Sequence, residues 1–285
     1  MANILDRYGI KEVADVTFYE LSNAGLPTHP VLYLDTLKVS TIEQTAEEAE
    51  ARGGKGNAAL IAWDYGKEIN VTLEDALFSA KSMAIMFGNG TVKNFDSKGK
   101  TDADASADFI MKTIQITVVE DGKDPNGGKW TGPDGKLYTM INTKYYNAEG
   151  DSVAVGELKK EVGKYLCTFD LAATGAVIEV SANSFPGTYY VVGDTFARSE
   201  ASGNDEMFQF IIPKAKVTSE NTITLEAEGD PSVFNMSLKV LRPADGVMMK
   251  LIKYELTNGT EADVNTAANL VHNHALTPVT AAAMG

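Results

Sequence analysis

His272-x-His274 is a histidine pair at strand spacing. In an extended segment both rings project to one side, and such a pair binds zinc when further ligands complete the set. No cysteine lies nearby, and His29 is remote in sequence, so two solvated histidines in a tail is the favoured reading. Asp102-x-Asp104 and the Asp121/Asp124/Asn126 cluster carry the hard oxygen ligands that suit calcium. Neither has the mid-loop glycine and closing glutamate of an EF-hand, and solvated acidic loops account for both. Gly53-Gly54-Lys55-Gly56-Asn57 has the composition of a phosphate cradle. A P-loop needs Gly, four residues, then Gly-Lys-Ser/Thr; that spacing is missing here, and no Ser or Thr follows Lys55. A flexible glycine loop is favoured.

Cys167 sits in Tyr165-Leu166-Cys167-Thr168-Phe169, which reads as a strand. A reactive thiol needs a histidine or a helix N-terminus beside it, and the sequence points to neither, so Cys167 reads as a small core residue. There is no Gly-x-Ser-x-Gly elbow. A pair of catalytic carboxylates leaves no sequence trace when it is assembled in space. No catalytic, cofactor-binding or metal-ligating residue is assigned, no cofactor is implied, and the chain reads as a non-enzyme.

The elements that would have to position any such residues are mostly strands. In the segment 205–243, Phe208, Phe210 and Ile212 share one face of a first run, and Ile223 and Leu225 share one face of a second. Phe234, Met236, Leu238 and Val240 share one face of a third. Ser219-Glu220-Asn221 and Glu228-Gly229-Asp230-Pro231 supply the turns. A three-stranded antiparallel meander is expected. Further strands are expected over 31–40, 69–73, 113–119, 137–142, 176–180, 188–192 (closed by Gly193-Asp194) and 248–256. Ala76, Leu77, Ala80, Met83, Ala84 and Phe87 change the period to that of one helix face, with Thr72 and Asp75 placed as a capping box and Gly88-Asn89-Gly90 as the stop. About ten strands, one helix and no βαβ alternation favour a mainly β, antiparallel sandwich or barrel with long loops.

Domain organisation reads as a single domain over 1–285. It has an N-terminal arm over about 1–20, long loops over about 41–57 (mobile) and 93–108, a possible insertion over about 121–164, and a C-terminal arm over about 257–285. The 285 residues, 44% hydrophobic and 22% charged, suffice for a sizeable core and do not describe a disordered chain. No apolar run approaches the ~18 residues of a membrane span, and no signal-peptide pattern opens the chain. One cysteine excludes an internal disulfide, in keeping with a reducing compartment. The net charge of −14 disfavours a grip on phosphate backbones and suits a surface that nucleic acid must pass without sticking.

Three segments carry a resemblance. They are Gly66–Leu77, Phe185–Asp194 (FPGTYYVVGD), and the meander, above all Ile212-Pro213-Lys214-Ala215-Lys216 with Glu228–Met236. Together they resemble the tail tube (major tail) proteins of tailed bacteriophages. The resemblance implies a β-sandwich or barrel that closes into hexameric rings, which stack into a tube conducting the genome to the host cell. It implies self-association, and contact with tape-measure and terminator proteins and, in a contractile tail, a sheath. Genomic DNA would pass without specific binding and without a membrane anchor. The place implied is the virion tail, after synthesis in the host cytoplasm.

Two readings of other classes stand beside it. One is a β-sandwich interaction module or another virion component, such as a sheath, baseplate, decoration or adhesion domain, which predicts a monomer or fixed small oligomer. The other is an enzyme, which predicts a pocket with convergent titratable groups.

Overall fold

Alternation at period two governs most of the chain, as the computed structural model shows for residues 7–10, 12–88, 90–99, 109–201, 203–218 and 233–254. The strands begin with β1 (Tyr8–Ile10), β2 (Asp15–Leu21), β3 (Pro27–Leu34), β4 (Leu37–Gly53) and β5 (Ala58–Asp75). The helix α1 (Ala80–Phe87) follows. Next come β6 (Lys93–Asp96), β7 (Ile110–Thr117), β8 (Lys129–Thr131), β9 (Leu137–Thr139), β10 (Ile141–Tyr146), β11 (Ser152–Val153), β12 (Lys164–Leu171) and β13 (Thr174–Val177). The series ends with β14 (Thr188–Ser199), β15 (Asp205–Val217), β16 (Phe234–Val240) and β17 (Lys250–Tyr254).

Nine strands form one sheet in the order β3-β2-β14-β15-β16-β5-β4, with β1 beside β14 and β17 beside β15. Every described pairing is antiparallel. The sheet does not close into a barrel, and β3 and β4 remain its two ends. Its inward residues meet in one core. Phe18 on β2, Val191 on β14, Ile212 on β15, Leu238 on β16 and Leu73 on β5 are all fully buried there, together with Ile85 of the helix. Burying side chains of this size stabilises the fold by roughly 1.5–3 kcal/mol each, and β2, β3, β4, β5, β14, β15 and β16 all contribute to this one sandwich-like core.

The alternation along β15 slips once. Phe208, Phe210 and Ile212 are buried, and then Ala215 and Val217 are. The register with β14 shifts at the same place, between the Tyr189↔Ala215 and Val191↔Ile212 pairs. Pro213 lies in this bulge, where its missing N–H costs no ladder bond. The bulge divides the other edge of β15 between two partners: Met207–Ile211 pair with β17, and Ala215–Val217 pair with β16.

The helix opens later than the sequence periodicity suggests. Thr72 and Asp75 do not cap it; both lie in β5, and buried Asp75 accepts from Thr36 Oγ1 and from the Leu77 N–H. Ser79 is the cap. Its Oγ accepts from Ser82 N–H at 3.0 Å, and its own N–H donates to Ser82 Oγ at 2.9 Å, a capping box built from two serines. Asp75 forms its own short turn first, and β5 therefore continues through residues expected in the helix.

A second unit has its own core. Strands β11-β10-β12-β7 form a separate sheet, and β8 and β9 form a hairpin against it. Ile116, Tyr145, Leu158, Tyr165, Cys167 and Phe169 pack between them. The expected insertion over 121–164 lies inside this unit, which also takes in the flanking strands β7 and β12. The chain enters past β6 and returns through β13, and these two strands pair as a ribbon from Lys93↔Val177 to Asp96↔Thr174.

The structure revises other expectations. The segment 41–57, expected as a mobile loop, is the distal part of the β4–β5 hairpin, whose cross-strand pairs run to Gly53↔Ala58. Glu43, Glu47, Glu48 and Glu50 are strand residues; a pairing partner further along the chain overrides the helical tendency of an acidic run. The expected N-terminal arm contains β2, which pairs with both β3 and β14. Residues 93–96 form a strand, and 100–108 lie outside the described residues, as do 257–285 and the expected middle strand at Ile223 and Leu225. The outer strands of the expected meander pair with each other directly at Ala215–Val217.

Candidate assembly surface

The sequence motifs that suggested chemistry do not gather. His272, His274, Asp102 and Asp104 lie outside the described residues. Asp121 accepts from Lys160 N–H at 2.7 Å, and that bond, helped by Lys159, holds its carboxyl below the usual range. Asp124 accepts from the N–H groups of Asn126 and Gly128 and ties the local turn. Among the described residues no three His, Cys, Asp or Glu are placed to hold a metal ion. Gly53–Asn57 is a hairpin tip in which Gly54, Gly56 and Asn57 take positive φ, the left-handed conformation that glycine and asparagine accept most readily. Cys167 is buried in the second core, where burial and then the Asp124 charge push its thiol up to about 11. A thiol so placed is a poor nucleophile.

What the structure does present is a surface without cover. Beyond the bulge at Thr45/Glu47, the β4–β5 hairpin leaves the core as an arm. Directly paired residues share a face of the ladder. Glu47↔Tyr65, Ala49↔Trp63 and Ala51↔Ile61 therefore make one face, and Glu48↔Asp64 and Glu50↔Ala62 make the other. Apart from Glu47 at its inner end, the first face is a stripe of alanine, isoleucine and aromatic side chains, with Ile61, Trp63 and Tyr65 exposed by 55%, 54% and 53%. Three large apolar neighbours this open, on one ladder face, are what a partner normally covers. The second face is acidic, and Glu48 stands directly opposite Asp64, a like-charge pair that destabilises the isolated hairpin. Arg52 answers Glu50 on the same arm.

The sheet ends differ in their protection. β3 carries Pro27 and Pro30, which remove donors from its free edge. β4 runs for 17 residues without a proline, and among the described residues its outer edge meets no strand. A long free edge of this kind is a template for pairing with another chain. The sequence pattern hides this surface, because the acidic run and the glycines over 41–57 have the composition of a loop. The signal that was available was the alternation of Ala59, Ile61, Trp63 and Tyr65.

An uncovered apolar arm thus lies beside a free strand edge, two features that a neighbouring strand or surface would cover. A comparison with protein-family profiles matches residues 8–253 to the YomU/Tube protein family, and the chain belongs to that family, a phage tube-type family of structural proteins. A search of curated proteins found no match. No helix among the described residues is long and apolar enough to cross a membrane.

Proposed function

We propose that this chain is the repeating subunit of a phage tail tube, in which six copies close into a ring and rings stack into a conduit for the genome. The observation that carries the reading is the uncovered β4–β5 arm, with Ile61, Trp63 and Tyr65 on one face and the unpaired edge of β4 along its side. Identical copies related by rotation supply each other's missing neighbours, and a head-to-tail contact that closes leaves no exposed edge. The acidic balance fits the same role. Each copy brings −14, so a ring of copies discourages DNA from adhering to its wall. In this reading the protein resides in the virion tail, and its other partners are the tape-measure and terminator proteins, with a sheath in a contractile tail.

Negative-stain microscopy of the full chain across a concentration series tests the proposal. Rings or tubes that grow in number with concentration are expected. A particle that stays monomeric by sedimentation velocity at the highest soluble concentration overturns it and favours an interaction module.

A further inference from the structure

The second unit holds a small cavity that the assembly surface does not use. It has a volume of about 280 Å³ and is lined by Ile110, Lys112, Trp130, Asp134, Tyr138 and Leu171, among others. Trp130 and Tyr138 stand with ring centroids 6.1 Å apart and planes inclined by 38°. Lys112 Nζ lies 4.9 Å over the indole centroid and caps that face, so the open ring is Tyr138, which is 37% exposed. Tyr138 does not swing freely. Its hydroxyl donates to Asp134 Oδ2 at 2.8 Å, and its ring rests on Gly132, where a Cβ would stand 2.7 Å from Tyr138 Cε2. Asp134 also accepts from Lys136 N–H at 3.2 Å. These bonds, that from Tyr138 first, hold Asp134 below the usual carboxylate range, helped by Lys136 Nζ at 3.3 Å; the rim thus carries a fixed carboxylate paired with Lys136, and the Lys112 ammonium. Among the described residues Lys112 meets no carboxylate.

We propose that this cavity is a saccharide-binding site that takes one pyranose ring, with the C–H face of the sugar stacked on Tyr138 and its hydroxyls hydrogen-bonded to Asp134 and Lys112. The volume lies just below the ~300–1,000 Å³ range of sites for drug-sized ligands, which suits a single ring. A seated aromatic platform with a few polar groups at its rim matches a ligand that is apolar on one side and hydroxylated around its edge. An apolar side chain from a protein partner fits less well. It would set hydrocarbon against the Lys112 ammonium, which meets no carboxylate among the described residues, whereas sugar hydroxyls replace the water that group loses. The unit is also free for such a role, because its core is separate from that of the main sheet.

The two tryptophans, Trp63 and Trp130, provide the test. In full-length Trp63→Phe protein, Trp130 is the sole indole reporter. It is titrated with maltose, cellobiose and N,N′-diacetylchitobiose at millimolar concentration on dispersed protein, so the outcome does not depend on whether tubes form. A saturable change in emission with at least one sugar is expected. Tyr138→Ala in the same background should weaken binding about tenfold or more, and Tyr138→Phe by about threefold or less, since stacking survives when only the hydroxyl is lost. Thermal melts check that the variants fold, and Lys112→Ala gives a second reading with the same expected loss. No saturable change with all three sugars overturns the proposal. So does an unaltered titration in Tyr138→Ala and Lys112→Ala, or saturation by N-acetyl-leucinamide alone, which would assign the cavity to an apolar protein partner.

Discussion

Phe210 lies directly across the β14–β15 ladder from Gly193, and its ring fills the volume a side chain at position 193 would need. A Cβ there would overlap Cζ and Cε1 of the ring. The glycine is thus a packing choice inside a strand, and the aromatic ring restores the burial that glycine forgoes. Gly193→Ala should destabilise the main sheet by about 1–3 kcal/mol, read as a lower urea midpoint at unchanged slope. Combining it with Phe210→Leu should cost clearly less than the sum of the two single changes, because the shorter side chain makes room for the new methyl. Additive losses would mean that the ring and the glycine do not share one space.

The arm should separate stability from association. Ile61→Ser and Trp63→Ser remove apolar surface that lies outside both cores and faces only cross-strand neighbours on the arm, so melting of the dispersed protein should shift by no more than about 0.5 kcal/mol. In the proposed tube, association should fall sharply in both, seen as loss of fast-sedimenting species and of tubes in micrographs. If either variant still forms tubes as the parent does, the arm is not the contact.

The helix cap gives a local measure. Ser79→Ala removes the acceptor for Ser82 N–H and should cost about 1 kcal/mol in chemical denaturation. Thr72→Ala should cost little through the helix, because Thr72 lies in β5 and takes no part in the cap. A larger loss of helix signal from Thr72→Ala than from Ser79→Ala would restore the capping box read from sequence.

Cys167 should be silent to a chromogenic disulfide reagent at pH 8 until the second unit opens, and its labelling rate should follow unfolding rather than reagent concentration. The pH dependence has a defined sign. The folded thiol titrates at about 11 and the ordinary thiol at 9.0, so between those values the unfolded chain has released a proton the folded chain still holds. This contribution to stability is complete below pH 9 and is lost as pH rises towards 11. Cys167→Ser should flatten that part of the stability profile. An unchanged alkaline slope would place its cause in other groups.

The sheet faces were legible where burial is one-sided. Phe208/Phe210/Ile212 and Met236/Leu238/Val240 announce strands because every second residue meets the core, and the structure buries each of them. The arm was not legible for the opposite reason. Neither of its faces meets the core, so Glu47, Glu48 and Glu50 show composition without a buried partner, and the glycines of the tip dominated the reading. The sequence also placed the helix start one turn early, since Ala76 and Leu77 keep the helical period while Asp75 closes a turn ahead of them. The neighbours of Tyr138 come from β7 and β12 as well as from its own hairpin, and local periodicity carries no trace of that meeting.

The β6–β13 ribbon has a consequence for how such chains diversify. At the end of the ribbon that leads to the 110–171 unit, Asp96 and Thr174 stand as direct cross-strand partners. A coding segment exchanged between those two positions replaces the second core while the main sheet keeps its sequence. One recombination event can therefore exchange the second unit whole, and an engineer can use the same junction to graft a foreign module onto the main sheet.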